Sequence, residues 1–162
     1  MKSDKIVPLD KIAAKSNALR RSGKKLVATN GCFDLLHVGH VRYLKAAGAL
    51  GDIVIVGLNG DASVRELKGA DRPINSANDR AEVLAALECV DLVTIFPEKR
   101  ATTFIQMVQP AVYVKGGDYS VDTLDDEERA LLEKIGARIE IVPLVKGYST
   151  SRLLEEISRP KK

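Results

Sequence analysis

Tryptophan is absent from this 162-residue chain, aromatic residues make up only 4% of it, and it holds just two cysteines and two histidines. Cys32 and Cys89 stand far apart without C-x-x-C spacing, which excludes a disulfide framework and a four-ligand zinc site and leaves reduced thiols as the default. Apolar runs such as Ile53–Leu58 fall far short of the ~20 residues that cross a bilayer, so no membrane partner is expected. The opening Met1-Lys-Ser-Asp-Lys-Ile-Val-Pro8 lacks the apolar stretch of a signal peptide, and a cytoplasmic protein is expected. Aromatics do not interleave with the basic residues as base stacking would require, so nucleic acid is not an expected partner.

What remains is the balance of an ordinary globular protein: 45% hydrophobic residues, 29% charged ones and a formal net charge of +3. The length suits one domain with a sizeable core. Charge is uneven along the chain. Residues 1–25 carry eight Lys/Arg against Asp4 and Asp10, whereas Asp118–Glu128 carries six carboxylates and no cation. The plain reading is a solvated basic helix and an acidic helix start favoured by the helix dipole.

Apolar β-branched runs alternate with helical patterns. Lys25–Thr29, Asp52–Leu58, Asp91–Phe96, Ala111–Lys115 and Arg138–Val142 read as strands, hydrophobic enough to be buried on both faces of a parallel sheet. Helices are expected over Leu9–Arg21, Val38–Leu50, Ser76–Cys89, Thr102–Val108, Leu124–Ile135 and Ser149–Ile157. Leu124, Leu131, Leu132 and Ile135 share one side of theirs, and Gly136 stops it. The pattern predicts an α/β fold: a single Rossmann-like, doubly wound, five-stranded parallel sheet over residues 25–158, with a basic helix within 1–24 packed on it and a short tail at 159–162. Phe104, Met107 and Tyr113 are expected in the core. In such a sheet a ligand sits beyond the carboxyl ends of the strands at the topological switch point, so the loops after the strands are the places to search.

The first of these loops, Thr29-Asn-Gly-Cys-Phe-Asp-Leu-Leu-His-Val-Gly-His40, contains both histidines. A helix starting near Val38 would aim free backbone N–H groups at an anion, Gly39 would let a phosphate approach the backbone, and His37 and His40 would donate to it. Two other readings stay open for the pair. They could be zinc ligands, although the spacing is one short of the usual four and no third ligand lies nearby, or they could be ordinary partly buried residues.

Gly31-Cys-Phe-Asp-Leu-Leu-His-Val-Gly-His40 resembles the GxFDxxHxGH signature of the cytidylyltransferase-like nucleotidyltransferases. Thr29–Asp34 and Val114-Lys-Gly-Gly-Asp-Tyr119 resemble in particular the heptose 1-phosphate adenylyltransferase branch, ADP-heptose synthase. Gly57-Leu-Asn-Gly-Asp61 resembles the family's second-strand loop. Val64–Ile74 with Asp79-Arg80 resembles its mobile basic loop and the following helix. Gly147-Tyr-Ser-Thr-Ser-Arg152 is similar to its ISTTK or ISSTR element, with Tyr148 where an aliphatic is common. The likeness runs from about Lys25 to Ile157.

The resemblance implies transfer of a nucleotidyl group from a nucleoside triphosphate to a phosphorylated acceptor, with no protein nucleophile. His37, His40 and Lys68 are the implied catalytic residues, the lysine on a loop with Gly69 that closes over the phosphates. Thr29, Asn30, Gly31, Cys32, Phe33, Gly39, His40, Lys115, Gly116, Asp118, Ser149, Thr150, Ser151 and Arg152 are implied at the nucleotide. Asp34, Asn59, Asp61, Lys68, Arg72 and Arg80 are implied at the acceptor. By residue type alone Lys68 and Arg72 read as solvated loop cations, Asp34 and Asp61 as loop caps, and Ser149–Ser151 as a helix N-cap. Arg80 near a helix start opposes the dipole, which suggests a functional demand. Mg2+ is expected with ATP, held mainly by water and phosphate oxygens and not by assigned protein side chains. The expected partners are ATP, a heptose 1-phosphate and a second copy of the chain, with a separate sugar kinase supplying the acceptor. A cytidylyltransferase for glycerol 3-phosphate shares the histidines, and a non-catalytic nucleotide-binding regulatory module is the alternative of another class.

Overall fold

The computed structural model describes residues 4–117, 123–143 and 147–159. Within them lie five strands, β1 (Leu26–Gly31), β2 (Ile53–Asn59), β3 (Leu92–Phe96), β4 (Val112–Gly116) and β5 (Arg138–Val142). Seven helices accompany them: α1 (Leu9–Arg21), α2 (Val38–Gly48), α3 (Asp61–Lys68), α4 (Ala77–Ala85), α5 (Thr102–Val108), α6 (Asp126–Lys134) and α7 (Thr150–Ser158). All strand pairs are parallel, in the order β3-β2-β1-β4-β5. The doubly wound five-stranded sheet expected from the sequence is present.

The pleat explains why the strands read as continuous apolar runs. Val27, Val54, Val56, Leu58, Val93, Val112 and Val114 face one side, against Tyr43, Leu44 and Ala47 of α2 and Ala81 and Leu84 of α4. Leu26, Ala28, Ile55, Leu92, Phe96 and Tyr113 face the other, against Ile12 of α1, Phe104, Ile105 and Val108 of α5 and Leu132 of α6. Each face needs an apolar partner layer, and alternation at period two supplies one to both. The crossovers change sides between β3 and β4, so the connections leaving β1 and β4 diverge and open a crevice between them.

Two local features differ from the sequence reading. The first part of the basic loop implied at Val64–Ile74 belongs to a helix, Asp61–Lys68, and Lys68 is its last residue, followed by Gly69 at φ +106°, a conformation that suits glycine. At the other end of the sheet, Lys5–Val7 runs beside β3. Val93 N donates to Lys5 O at 2.8 Å and Val7 N donates to Val93 O at 2.9 Å, so the chain start covers an edge that would otherwise be bare. No helix among the described residues is long and apolar enough to cross a membrane.

Candidate active site

The crevice holds a cavity of about 770 Å³ at the carboxyl ends of β1, β2 and β4, closed at the sides by the N-termini of α2, α6 and α7. Asn30, Gly31, Cys32, Phe33, Asp34, His37, Gly39, His40, Asn59, Lys68, Arg72, Lys115, Gly116, Ser149, Thr150 and Ser151 all line it. Most residues implied by the motif resemblance therefore come together from five separate segments. Asp118 lies outside the described residues.

The first wall grows from the β1–α2 loop. Phe33 turns it at φ +43°, a conformation uncommon for a residue with a Cβ. His37 then occupies the N-cap of α2 and His40 its third position, so their rings stack with centroids 3.9 Å apart. His37 N donates to His40 Nδ1 at 3.4 Å. That acceptor role assigns the proton of a neutral His40 to Nε2, making it a donor. Burial pushes the His40 pKa down to about 4, with the neighbouring His37 adding to the shift. Burial also lowers that of His37, whose Nδ1 is buried without a hydrogen-bond partner. Gly39 is explained by this packing: a Cβ there would lie 2.9 Å from the His37 ring and 3.1 Å from Tyr148 Cβ. The helix start needs glycine to seat His37, a closer constraint than room for a phosphate.

Ser149 caps α7 by accepting from Arg152 N at 3.1 Å, and Thr150 Oγ1 donates to Leu35 O at 3.3 Å, which ties this second helix start to the first loop. Tyr148 stacks toward His37 at 6.3 Å, with the Arg42 guanidinium 5.9 Å from its ring centre. Arg152 departs from expectation. Its guanidinium donates to Glu156 at 3.0 Å and Gly147 O at 3.0 Å on the exposed side of α7, and it does not line the cavity.

On the second wall nearly every charge is already paired. Asp34 is buried and accepts from Arg72 Nε at 2.6 Å, Ile74 N at 2.9 Å and Asn75 N at 3.1 Å. Burial alone would raise its pKa, but those donors outweigh it and hold the carboxyl below its usual range. Arg72 keeps its two terminal nitrogens uncommitted among the described residues and faces the cavity. Arg80 corrects the sequence reading. It is 2% exposed, and its guanidinium donates to the carbonyls of Cys32, Asn59 and Asn75 and to Asp61 Oδ1. These bonds spend its donors on three loops, so the cation that opposes the helix dipole is a brace below the floor, not an acceptor ligand. Asp61, its partner, is likewise not among the residues that line the cavity. Thr29 is also beneath the floor, its hydroxyl 2.6 Å from Tyr43 Oη, which donates to Val114 O at 3.0 Å. Burial pushes the Cys32 thiol upward despite Lys68, Arg80 and Arg72 nearby, so it faces the cavity protonated.

Several lining residues were missed by the sequence reading: Tyr43, Leu67, Lys99, Arg100, Thr123, Leu124, Asp125, Glu128 and Tyr148. Lys99 and Arg100 follow β3, where the rule that ligands sit beyond strand ends pointed to them. Arg100 is ion-paired with Asp125 at 2.8 Å and Glu127 at 3.1 Å, and Lys115 with Glu128 at 3.4 Å. Lys68 and Lys99 are the lining cations that hold no carboxylate among the described residues.

Chemically, the cavity offers two helix N-termini, a neutral imidazole donor and uncommitted cations, which together suit a polyphosphate anion. Among the described residues no three or more His, Cys, Asp or Glu side chains gather into a metal-ligating group.

A family model described as cytidylyltransferase-like matches residues 28–158. The bifunctional protein HldE of Geotalea uraniireducens is 52% identical over 153 residues, covering 94% of this chain and 31% of that protein. HldE of Geobacter sulfurreducens is 47% identical over the same length and shares. The chain thus spans about a third of the length of the curated relatives it matches. The crystal structure of the lipopolysaccharide core biosynthesis protein from Thermoplasma volcanium has a TM-score of 0.64 and 30% identity, covering 78% of this chain and 100% of that one. Pantoate–β-alanine ligase from Francisella tularensis matches at a TM-score of 0.65 with 17% identity, covering 93% and 72%, a likeness of fold alone.

Proposed function

Because this chain belongs to the cytidylyltransferase-like family of nucleotidyltransferases, we propose that it transfers AMP from ATP to a heptose 1-phosphate, giving ADP-heptose and pyrophosphate. The observation that carries the reading is the meeting, in one cleft, of the histidine-bearing start of α2 with the cations at Lys68 and Arg72. An oxygen of the acceptor phosphate attacks the α-phosphorus in line. The new P–O bond forms as the bond from that phosphorus to the bridging oxygen breaks, and pyrophosphate leaves. No protein nucleophile is required, so the chain's contribution is alignment and compensation of charge.

His40 Nε2–H donates to an α-phosphate oxygen as its charge changes, and the α2 and α7 helix starts hold the phosphate chain. Lys68 follows the β- and γ-phosphates from the end of α3. The terminal nitrogens of Arg72 receive the acceptor phosphate, with Asp34 fixing the guanidinium plane. ATP would be used with Mg2+, which would supply charge compensation on the phosphates. The choice of ATP and a heptose rests on the Thr29–Asp34 and Lys115–Tyr119 segments, on the HldE relatives and on the lipopolysaccharide core biosynthesis neighbour. A homodimer, and a kinase that supplies the sugar phosphate, complete the reading.

The test is pyrophosphate release with Mg2+, using ATP or CTP against a panel of heptose 1-phosphates and glycerol 3-phosphate. Release with ATP and a heptose 1-phosphate is expected. Preference for CTP with glycerol 3-phosphate would overturn the substrate assignment and leave nucleotidyl transfer standing. Binding without release under any pairing would favour a regulatory module. Light scattering after size exclusion checks the dimer, and a monomer at high concentration removes it.

A further inference from the structure

Asn30 ends the inner part of β1 on the cavity floor, and its side-chain oxygen is doubly engaged. Tyr113 Oη donates to Asn30 Oδ1 at 2.6 Å, and Lys115 Nζ donates to the same oxygen at 2.8 Å. Tyr113 is fully buried and Lys115 only 9% exposed, so neither donor is a wandering surface group. Lys115 is held from behind by Glu128 Oε2 at 3.4 Å. Glu128 is fixed in turn by Ala101 N, which donates to Oε1 at 2.7 Å.

A side-chain amide is symmetric in shape but not in polarity. The Tyr113 hydroxyl could adapt to a flipped amide by accepting from it. The Lys115 ammonium could not, because it has donors only. The lysine therefore decides which end of Asn30 faces it, and the Nδ2 hydrogens must point away. Nδ2 makes no hydrogen bond among the described residues, is not sealed from solvent and belongs to a residue that lines the cavity. A fixed donor is left facing the substrate space.

We propose that Glu128, Lys115 and Tyr113 are positioning residues that lock the Asn30 amide so that Nδ2–H donates to a sugar hydroxyl oxygen of the bound substrate. A hydroxyl fits better than a phosphate. The Lys115 charge is already offset by Glu128, so this part of the floor offers direction rather than positive charge, whereas the uncommitted cations, Lys68 and Lys99, stand elsewhere on the wall. The hydroxyl has two possible sources in the proposed reaction, the ribose of the nucleotide or the acceptor sugar. The inference rests on that reading.

Asn30→Asp is the decisive variant. Aspartate keeps an oxygen for Tyr113 and Lys115 but removes the donor, so a purely structural role predicts unchanged ligand affinity and an unchanged or raised Tm. The substrate-facing role predicts about a tenfold loss in one of two arms, the size expected for one directed hydrogen bond and its unpaired remnant. In the ribose arm, calorimetry compares ATP with inorganic triphosphate, and only ATP weakens. In the acceptor arm, KM for heptose 1-phosphate rises at saturating ATP while kcat holds. Tyr113→Phe should give a loss of roughly two- to fivefold in the same arm, since Lys115 still orients the amide. The proposal is overturned if neither arm moves, or if inorganic triphosphate weakens as much as ATP, which would mark a phosphate contact or a charge effect. Failure of the underlying reading is separate, because it appears as absent turnover in the unsubstituted protein; the ATP and triphosphate comparison then decides alone.

Discussion

The two walls of the cavity are built on opposite electrostatic plans. On the α2 side, two stacked imidazoles are desolvated, His37 Nδ1 has no partner, and two helix starts point at the same space. On the side of α3 and α6, Asp34 meets Arg72, Lys115 meets Glu128 and Arg100 meets Asp125, while Arg80 and Asp61 pair beneath the floor. The unsatisfied wall holds unmet hydrogen-bonding capacity that an anion can relieve. The satisfied wall spends its bonds on holding loops in place before any ligand arrives. Unmet hydrogen-bonding capacity concentrates on the first wall and preorganisation on the second, where Lys68, Lys99 and the terminal nitrogens of Arg72 remain uncommitted among the described residues.

The largest expected effect breaks the first wall. His40→Ala should lower kcat by roughly 10²–10³-fold, the usual loss on removing one transition-state donor. Its Tm should stay close to the parent value, because the ring makes one long hydrogen bond and sits in the first turn of α2, at the edge of the cavity and outside the core. Steady-state pyrophosphate release and a thermal melt, read together, check this; near-normal turnover would sink the assignment.

Arg80→Met attacks the second wall and should give the converse pattern. It strips three carbonyls and Asp61 of their partner, at a cost of about 3 kcal/mol, or roughly 6–12 °C in Tm for a chain of this size. Residual turnover per folded molecule at low temperature should remain measurable. A Tm within 2 °C of the parent, about the effect of less than 1 kcal/mol, would show that the brace is dispensable.

The smallest effect separates the walls by pH. His40 titrates near 4 in the fold and near 6.5 unfolded, so the unfolded chain binds the extra proton between those values. Stability from keeping it neutral is present above about pH 6.5 and falls as pH drops toward 4, by on the order of 2 kcal/mol. The depressed Asp34 pKa acts in the same direction, but only as pH falls through and below the ordinary carboxylate range. Denaturation midpoints between pH 7 and 4.5 should fall in the parent and flatten in His40→Ala. Polyphosphate bound against His40 favours its protonated form, so ATP binding near pH 6 should take up a proton, visible as a calorimetric enthalpy that varies with the buffer.

Legibility divides along related lines. The strands and the end of α6 could be read because continuous apolar runs and the Gly136 stop are local signals, and β5 lies where the sequence placed it. Helix α3 was hidden because only Ser63 and Val64 of its eight residues are buried, too narrow a stripe for periodicity to show. The histidine wall was visible because its members are close in sequence and chemically rare. The paired wall was not: Arg80 finds its acceptors on backbone carbonyls at Cys32, Asn59 and Asn75, which carry no residue-type signature and meet only through the fold. Lys99 and Arg100 could have been found from the strand-end rule alone. Glu128 could not, because its place on the floor depends on how α6 docks.

The strip at Lys5–Val7 has a practical meaning for anyone shortening or fusing this chain. Its two main-chain bonds to Val93 close the outer margin of the sheet, and Lys5 Nζ also donates to the carbonyls of Leu87 and Val90 at 3.1 and 2.7 Å. Trimming to the start of α1 would leave β3 as a bare template for strand addition by another molecule. Such a variant could keep its catalytic geometry and still fail in the flask, losing yield and shelf life through association while its active centre stayed intact.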